Sequence, residues 1–176
     1  MLVRVLSYHQ VIPGYVDLLL EVDGHKHARK DLYSRFLSQT LLEHTPSLEV
    51  DYLGRSGRQF QLCYSLRSIG RTEWNHLVPC HKQWSFQQGA FHHQFDMLKG
   101  TAVWIITRAD LDLKRRIEKS TEKTGLGEDR QFQTPEQCLK SSLTVHLLLC
   151  CWAYENWRTY FLWLEGTVED EVSKSL

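Results

Sequence analysis

No apolar run in this chain is long enough to cross a bilayer. The longest, Leu147–Ala153 (LLLCCWA), falls far short of the ~18–20 residues a spanning helix needs. Glu155, Asn156 and Arg158 follow at once, and a charged residue at a helix centre costs about 2.5–3.5 kcal/mol on insertion scales. As written, the chain reads as soluble and cytoplasmic. Net charge is also missing: 21 Lys+Arg balance 21 Asp+Glu. That excludes a general electrostatic hold on nucleic acid or on an anionic membrane, and near neutrality favours self-association. There is no CxxC, and the five cysteines (Cys63, Cys80, Cys138, Cys150, Cys151) are odd in number. A disulfide framework is not expected, and a reducing compartment suits the chain better. The N-terminal stretch MLVRVLSYHQVIPGY has no unbroken apolar core and no small-residue cleavage site, so it is not a secretory leader.

What is present is an ordinary globular composition with an aromatic excess. At 176 residues the chain is one domain, long enough to bury about 70% of its unfolded surface. Hydrophobic content of 42% and charge of 24% argue against disorder. Aromatics reach 11%, with six tryptophans, which points to large packed or partner-facing surfaces.

Pattern divides the chain into an α/β core over residues 1–133 and a helical segment over 134–176. Leu2–Leu6 reads as a short strand ended by Pro13-Gly14. Tyr15–Val22 fits helix or strand. Asp31–His44 reads as a helix, with Leu32, Phe36, Leu37, Thr40 and Leu41 at helical spacing. Tyr52–Arg58, carrying Gly54 and Gly57, is a turn. Gln59–Leu66 alternates, Phe60, Leu62, Tyr64 and Leu66 against Gln59, Gln61, Cys63 and Ser65, as a half-buried strand does. Ser68–Cys80 reads as a loop. Gln83–Asp96 and Thr101–Thr107 form a hairpin over roughly Phe86–Thr107, turned at Met97–Gly100. AVWIIT has the profile of a central strand buried on both faces. Asp110–Lys123 is a polar helix and Thr124–Gln133 a charged loop. Thr134-Pro135-Glu136-Gln137 opens a helix with a capping box, expected to run to about Cys151. A second helix carries Trp157, Tyr160, Phe161 and Leu164, with a bend at Gly166. The fold class is therefore α/β, a mixed sheet packed with helices and ending in a long aromatic-rich helical segment.

Chemistry-bearing clusters are weak. His25, His27, His76, Cys80-His81 and His92-His93 include donors that suit zinc, but no pair has fixed ligand spacing. His92 and His93, adjacent on a strand, point to opposite faces and read as partly buried polar residues. Gly54-Arg-Ser-Gly57 matches neither a GxSxG elbow nor a phosphate loop, and Gly125-Leu-Gly127 lacks a third glycine. Lys114, Arg115, Arg116, Lys119 and Lys123 edge a helix but interleave with Asp110, Asp112, Glu118 and Glu122, the mark of a solvated, ion-paired face. No titratable cluster has catalytic spacing, and an enzyme is not expected. Trp152, Tyr154, Trp157, Tyr160, Phe161 and Trp163 surround the last helix, so it wants partners on more than one side, either this domain's own sheet or a subunit contact or downstream helices. Trp152, Trp157, Tyr160, Phe161 and Trp163 are the interface candidates, for a second copy or a protein partner.

Four segments carry a family resemblance: LSYHQVIPGYVD (Leu6–Asp17), LGRSGRQFQLCYSL (Leu53–Leu66), KQWSFQQGAFHHQFD with GTAVWIITR (Lys82–Arg108), and LKRRIEKST with SSLTVHLLLCCWAYENWRTYFLWLE (Ser141–Glu165). In this order they resemble the CorA-like transporter domain found in many fungal proteins, over roughly Leu6–Val172. The resemblance implies a cytosolic α/β domain leading into a long stalk helix. In full-length relatives, two membrane helices with a Gly-Met-Asn signature follow. It also implies transport of magnesium and related divalent cations, and pentameric assembly. This chain has neither Gly-Met-Asn nor the membrane helices, so no pore residue carries over. Regulation in the family works through cations held between carboxylates of neighbouring subunits, which makes Glu165, Glu169, Asp170 and Glu171 the acidic candidates for a magnesium site at a subunit interface. The reading is a soluble cytosolic domain of a CorA-like divalent-cation transporter. The alternative is a stand-alone interaction or regulatory module that has lost transport.

Overall fold

The computed structural model describes residues 2–23, 35–71, 84–121 and 134–175. Residues 72–80 of the loop expected over Ser68–Cys80, the loop expected at 124–133, and His25, His27, His76, Cys80 and His81 lie outside them. Two short helices open the chain, α1 (Leu2–Tyr8) and α2 (Gly14–Asp23). Strand β1 (Phe36–Leu41) follows, then a small ribbon of β2 (Glu49–Val50) and β3 (Arg55–Ser56). The main sheet continues with β4 (Gln59–Arg71), β5 (Trp84–Asp96) and β6 (Ala102–Thr107). The rest is helical: α3 (Leu111–Thr121), α4 (Pro135–Tyr154) and α5 (Trp157–Ser175).

The main sheet has the order β1-β4-β5-β6, and each of its pairings is antiparallel. The sheet-and-helix architecture and the long aromatic C-terminal segment are as expected, while the sheet is antiparallel rather than mixed. Between β5 and β6 the turn Met97–Gly100, with Gly100 at φ 69°, is too short for a parallel crossover.

Helices cover both faces of the sheet. On one side Leu6, Tyr15, Leu18 and Val22 of α1 and α2 pack on Cys63 and Ala90. On the other, Leu113 of α3 and Val145, Leu149 and Trp152 of α4 pack on Tyr64 and Phe91. The predicted alternation of β4 holds, but its second face is not open to solvent. Gln59, Gln61, Cys63 and Ser65 are all buried, and the polar ones find separate partners: Gln59 Oε1 accepts from Gln94 Nε2–H, Ser65 Oγ accepts from Arg35 N–H, and Gln61 bonds the chain at Gln10–Ile12. Gln61 Oε1 accepts from Ile12 N–H (3.1 Å), and Gln61 Nε2 donates to Gln10 O (3.1 Å).

Four expectations are corrected. Ser68–Arg71, expected to open a loop, is strand, because it continues β4 and pairs with Trp84–Gln87 of β5. Leu2–Leu6 is helical, because docking Leu6 into the core outweighs the β preference of Val3 and Val5. The expected helix Asp31–His44 contains strand β1, whose partner is Gln59–Tyr64 of β4; pairing with a long central strand overrides a coincidental helical spacing. Thr101–Thr107 contributes β6 to the sheet, but at its edge. Its apolar character reflects cover on both faces, Ile105 toward α2 and Trp104 and Ile106 toward α4.

Gly57 has a backbone requirement of its own. Its φ is 79°, and an added Cβ would stand 2.6 Å from Thr45 O. Gly57→Ala should destabilise by about 1–3 kcal/mol in urea denaturation. A stabilised variant, the usual result where alanine fits, would contradict this geometry.

Candidate functional site

The α4 helix begins as its sequence dictates. Thr134 Oγ1 accepts from Gln137 N–H while the Gln137 side chain accepts from Thr134 N–H. From that start α4 lays a polar seam against the sheet. Tyr64 Oη bonds His146 Nδ1 (2.6 Å), His146 Nε2 bonds His93 Nδ1 (2.9 Å), and His93 Nε2 bonds Ser142 Oγ (2.6 Å). Ser142 Oγ also accepts from Trp104 Nε1–H (3.2 Å), and the Trp104 ring stacks on His93 with centroids 4.2 Å apart. One proton per bond closes this chain with both imidazoles neutral. Burial, followed by His146 and His92, pushes His93 down to about 3, and burial also lowers His146. A serine bonded to a histidine that is bonded to a second polar ring has the outline of a nucleophile and its base. Here, however, Ser142 is only 5% exposed, and its oxygen is engaged by Trp104. The network fastens α4 to the sheet.

His92 and His93 do point to opposite faces, as expected, and both are fully buried rather than partly so. His92 Nε2–H donates to Gln61 Oε1 (3.0 Å) on the α2 side. Burial, followed by His9 and Arg55, pushes it down to about 4.

The five aromatic candidates separate into three settings. Trp152 is core: it is 3% exposed, edge-on to Phe91, and its Nε1–H donates to Asp110 Oδ2 (3.0 Å). Asp110 Oδ1 meanwhile caps α3 through Leu113 N–H (2.7 Å). Trp157, Tyr160 and Trp163 are half-buried on the strand end that carries Trp84 and Phe86. Trp84 meets Tyr160 and Trp163, and Phe86 meets Trp157 and Tyr160, at centroid distances of 5.6–6.3 Å. Phe161 faces away and is 56% exposed. Trp84 and Phe86 went unrecognised as partners because only the packing of α5 against the sheet brings residues so distant in sequence together.

Helix α5 follows α4 after Glu155–Asn156, where Glu155 N–H still reaches Cys151 O. It passes uninterrupted through Gly166. Glu155 also pairs with Arg116 of α3, fixing the junction. From Leu164 to Ser175 every residue is exposed. Phe161, Leu164, Val168 and Val172, spaced by three or four residues, make an apolar stripe on this part of the helix. Glu165, Glu169, Asp170 and Glu171 flank it, and Glu171 pairs with Lys174 at 2.8 Å. Among the described residues no three His, Cys, Asp or Glu side chains are grouped to hold a metal ion, so these acidic groups do not form a site within one chain. No helix among the described residues is long and apolar enough to cross a membrane.

The whole chain, residues 1–176, matches a family model described as CorA-like transporters. No curated protein and no solved structure matches it.

Proposed function

Because this chain belongs to the CorA-like transporter family, we propose that residues 1–176 act as the cytosolic, cation-responsive part of a divalent-cation transporter assembly, with α5 as the helix through which copies associate. The observation that carries this reading is the apolar stripe Phe161, Leu164, Val168 and Val172 on a helix exposed at every residue from Leu164 to Ser175. A stripe of this spacing loses its water when a like helix lies against it. The acidic flank supports the cation-linked part. Glu165 and Glu169 stand one turn apart, and in an assembly such carboxylates from neighbouring helices would approach one another. Magnesium, the cation the family resemblance implies, takes carboxylate and water oxygens and would relieve their repulsion. The domain itself is proposed to be non-enzymatic.

Solution mass by light scattering, with and without millimolar magnesium, tests the cation link. The expected result is a larger mass with magnesium, lost in a Glu165→Gln/Glu169→Gln variant. A mass that magnesium leaves unchanged would overturn cation-linked assembly and favour a module that binds a different protein through α5.

A further inference from the structure

Arg55 of β3 is a buried cation whose guanidinium hydrogen-bonds to neutral groups. It is 2% exposed, and its guanidinium donates to two neutral groups, Gln10 Oε1 (3.1 Å) and His9 Nδ1 (3.2 Å). Asp96 is near enough to attract it, but the Asp96 oxygens are taken by Ser56 N–H and Oγ–H, Leu98 N–H and Lys99 N–H, at 2.6–3.0 Å. Asp96 thus attracts the guanidinium without bonding it, and the donors of Arg55 are directed to the residues just after α1, where a second anion would add to its stabilisation.

The bond to His9 decides how that charge reaches the surface. A guanidinium can only donate, so His9 Nδ1 must be the acceptor and the ring proton sits on Nε2. His9 is therefore a neutral donor polarised by the cation behind it. His9 also lines a recess of about 580 Å³ together with Arg4, Val5 and Tyr8. Arg4 and Tyr8, one helical turn apart on α1, bring a second guanidinium and a phenol to the same recess.

We infer that the recess along α1 lined by Arg4, Val5, Tyr8 and His9 binds a phosphate group, held by Arg4, Tyr8 and the His9 Nε2–H, with Arg55 behind His9 as the fixed counter-charge. A phosphate accepts from all three groups, and its charge is matched by the two guanidinium groups. Free phosphate and a phosphorylated lipid headgroup present the same chemistry here.

Two arms separate the sources. The full chain is titrated with inorganic phosphate by calorimetry while the imidazole nitrogens are followed by NMR. It is also sedimented with phosphatidylcholine vesicles, with and without phosphatidic acid. The expected result is saturable binding in at least one arm, with the His9 nitrogens shifting and those of exposed His44 unmoved. Arg4→Gln, at an exposed position, keeps the fold and should weaken binding by about tenfold or more. Binding in the phosphate arm assigns a soluble phosphate; binding to phosphatidic acid vesicles alone assigns a headgroup. No saturable binding in either arm, or binding that Arg4→Gln leaves unchanged, would overturn the site.

Discussion

Replacing Trp152 by alanine should destabilise the domain by about 3–5 kcal/mol, the range for emptying a buried aromatic site. Its indole is packed edge-on to Phe91 and is part of the cluster that includes Leu113 and Leu149. Its N–H also holds the Asp110 carboxylate that caps α3. Truncation thus opens a cavity and frees a hydrogen-bonded carboxylate at the same point, and α3 and α4 lose a common anchor. Trp152→Phe retains most of the packing and should cost less, about 1–3 kcal/mol, chiefly through the lost hydrogen bond. Phe161→Ala, on the exposed side of α5, should stay within about 0.5 kcal/mol. Urea denaturation followed by circular dichroism orders the three variants. Similar costs for Trp152→Ala and Phe161→Ala would contradict the division of the aromatic set into core and surface.

Acid should destabilise the fold well above the carboxylate range. His92 and His93 are lowered from 6.5 to about 4 and about 3 by burial. In the unfolded chain both regain an ordinary affinity for protons. As pH falls below about 6.5 the unfolded state therefore takes up protons that the folded state refuses, and stability declines. The slope is about 1.4 kcal/mol per pH unit for each imidazole. It continues down to the folded value of each ring and flattens below it. Between pH 7 and pH 5 the pair should remove roughly 4 kcal/mol. His146 and His9 are lowered too and act in the same direction. Denaturation midpoints in urea at pH 7, 6 and 5 measure this. Equal midpoints at pH 7 and pH 5 would mean that the imidazoles are not held neutral in the fold.

The two histidines show how far the sequence could be read. Adjacent positions on a strand fixed their opposite faces. What each would meet was not visible, because Gln61, Ser142 and His146 reach them only through tertiary packing. The capping box at Thr134 was legible because all of its parts lie within four residues. The β4 alternation and the β5–β6 hairpin were legible because both are short-range patterns. Strand β1 was not: its spacing fits a helix, and only the partner strand, more than a dozen residues away, selects the extended form. Trp152 was grouped with the surface aromatics for a related reason. A helix apolar nearly all round does not reveal which side meets the sheet until the sheet is in place. The acidic residues of α5 stood out only through the family resemblance, but a cation needs carboxylates that converge, and among the described residues of one chain they do not. Arg55 lay within a turn motif read only for its glycines, and no local pattern marks a buried guanidinium.

The central claim is that α5 is an assembly helix, and the most direct measurement is the solution mass of the chain beside that of a Phe161→Glu/Val168→Glu variant. The two positions are 56% and 54% exposed, so the variant should keep its circular dichroism spectrum and urea midpoint. The account predicts an oligomer for the unaltered chain in magnesium and a monomer for the variant. An unaltered chain that is monomeric in magnesium, or a variant that assembles equally well, would contradict it.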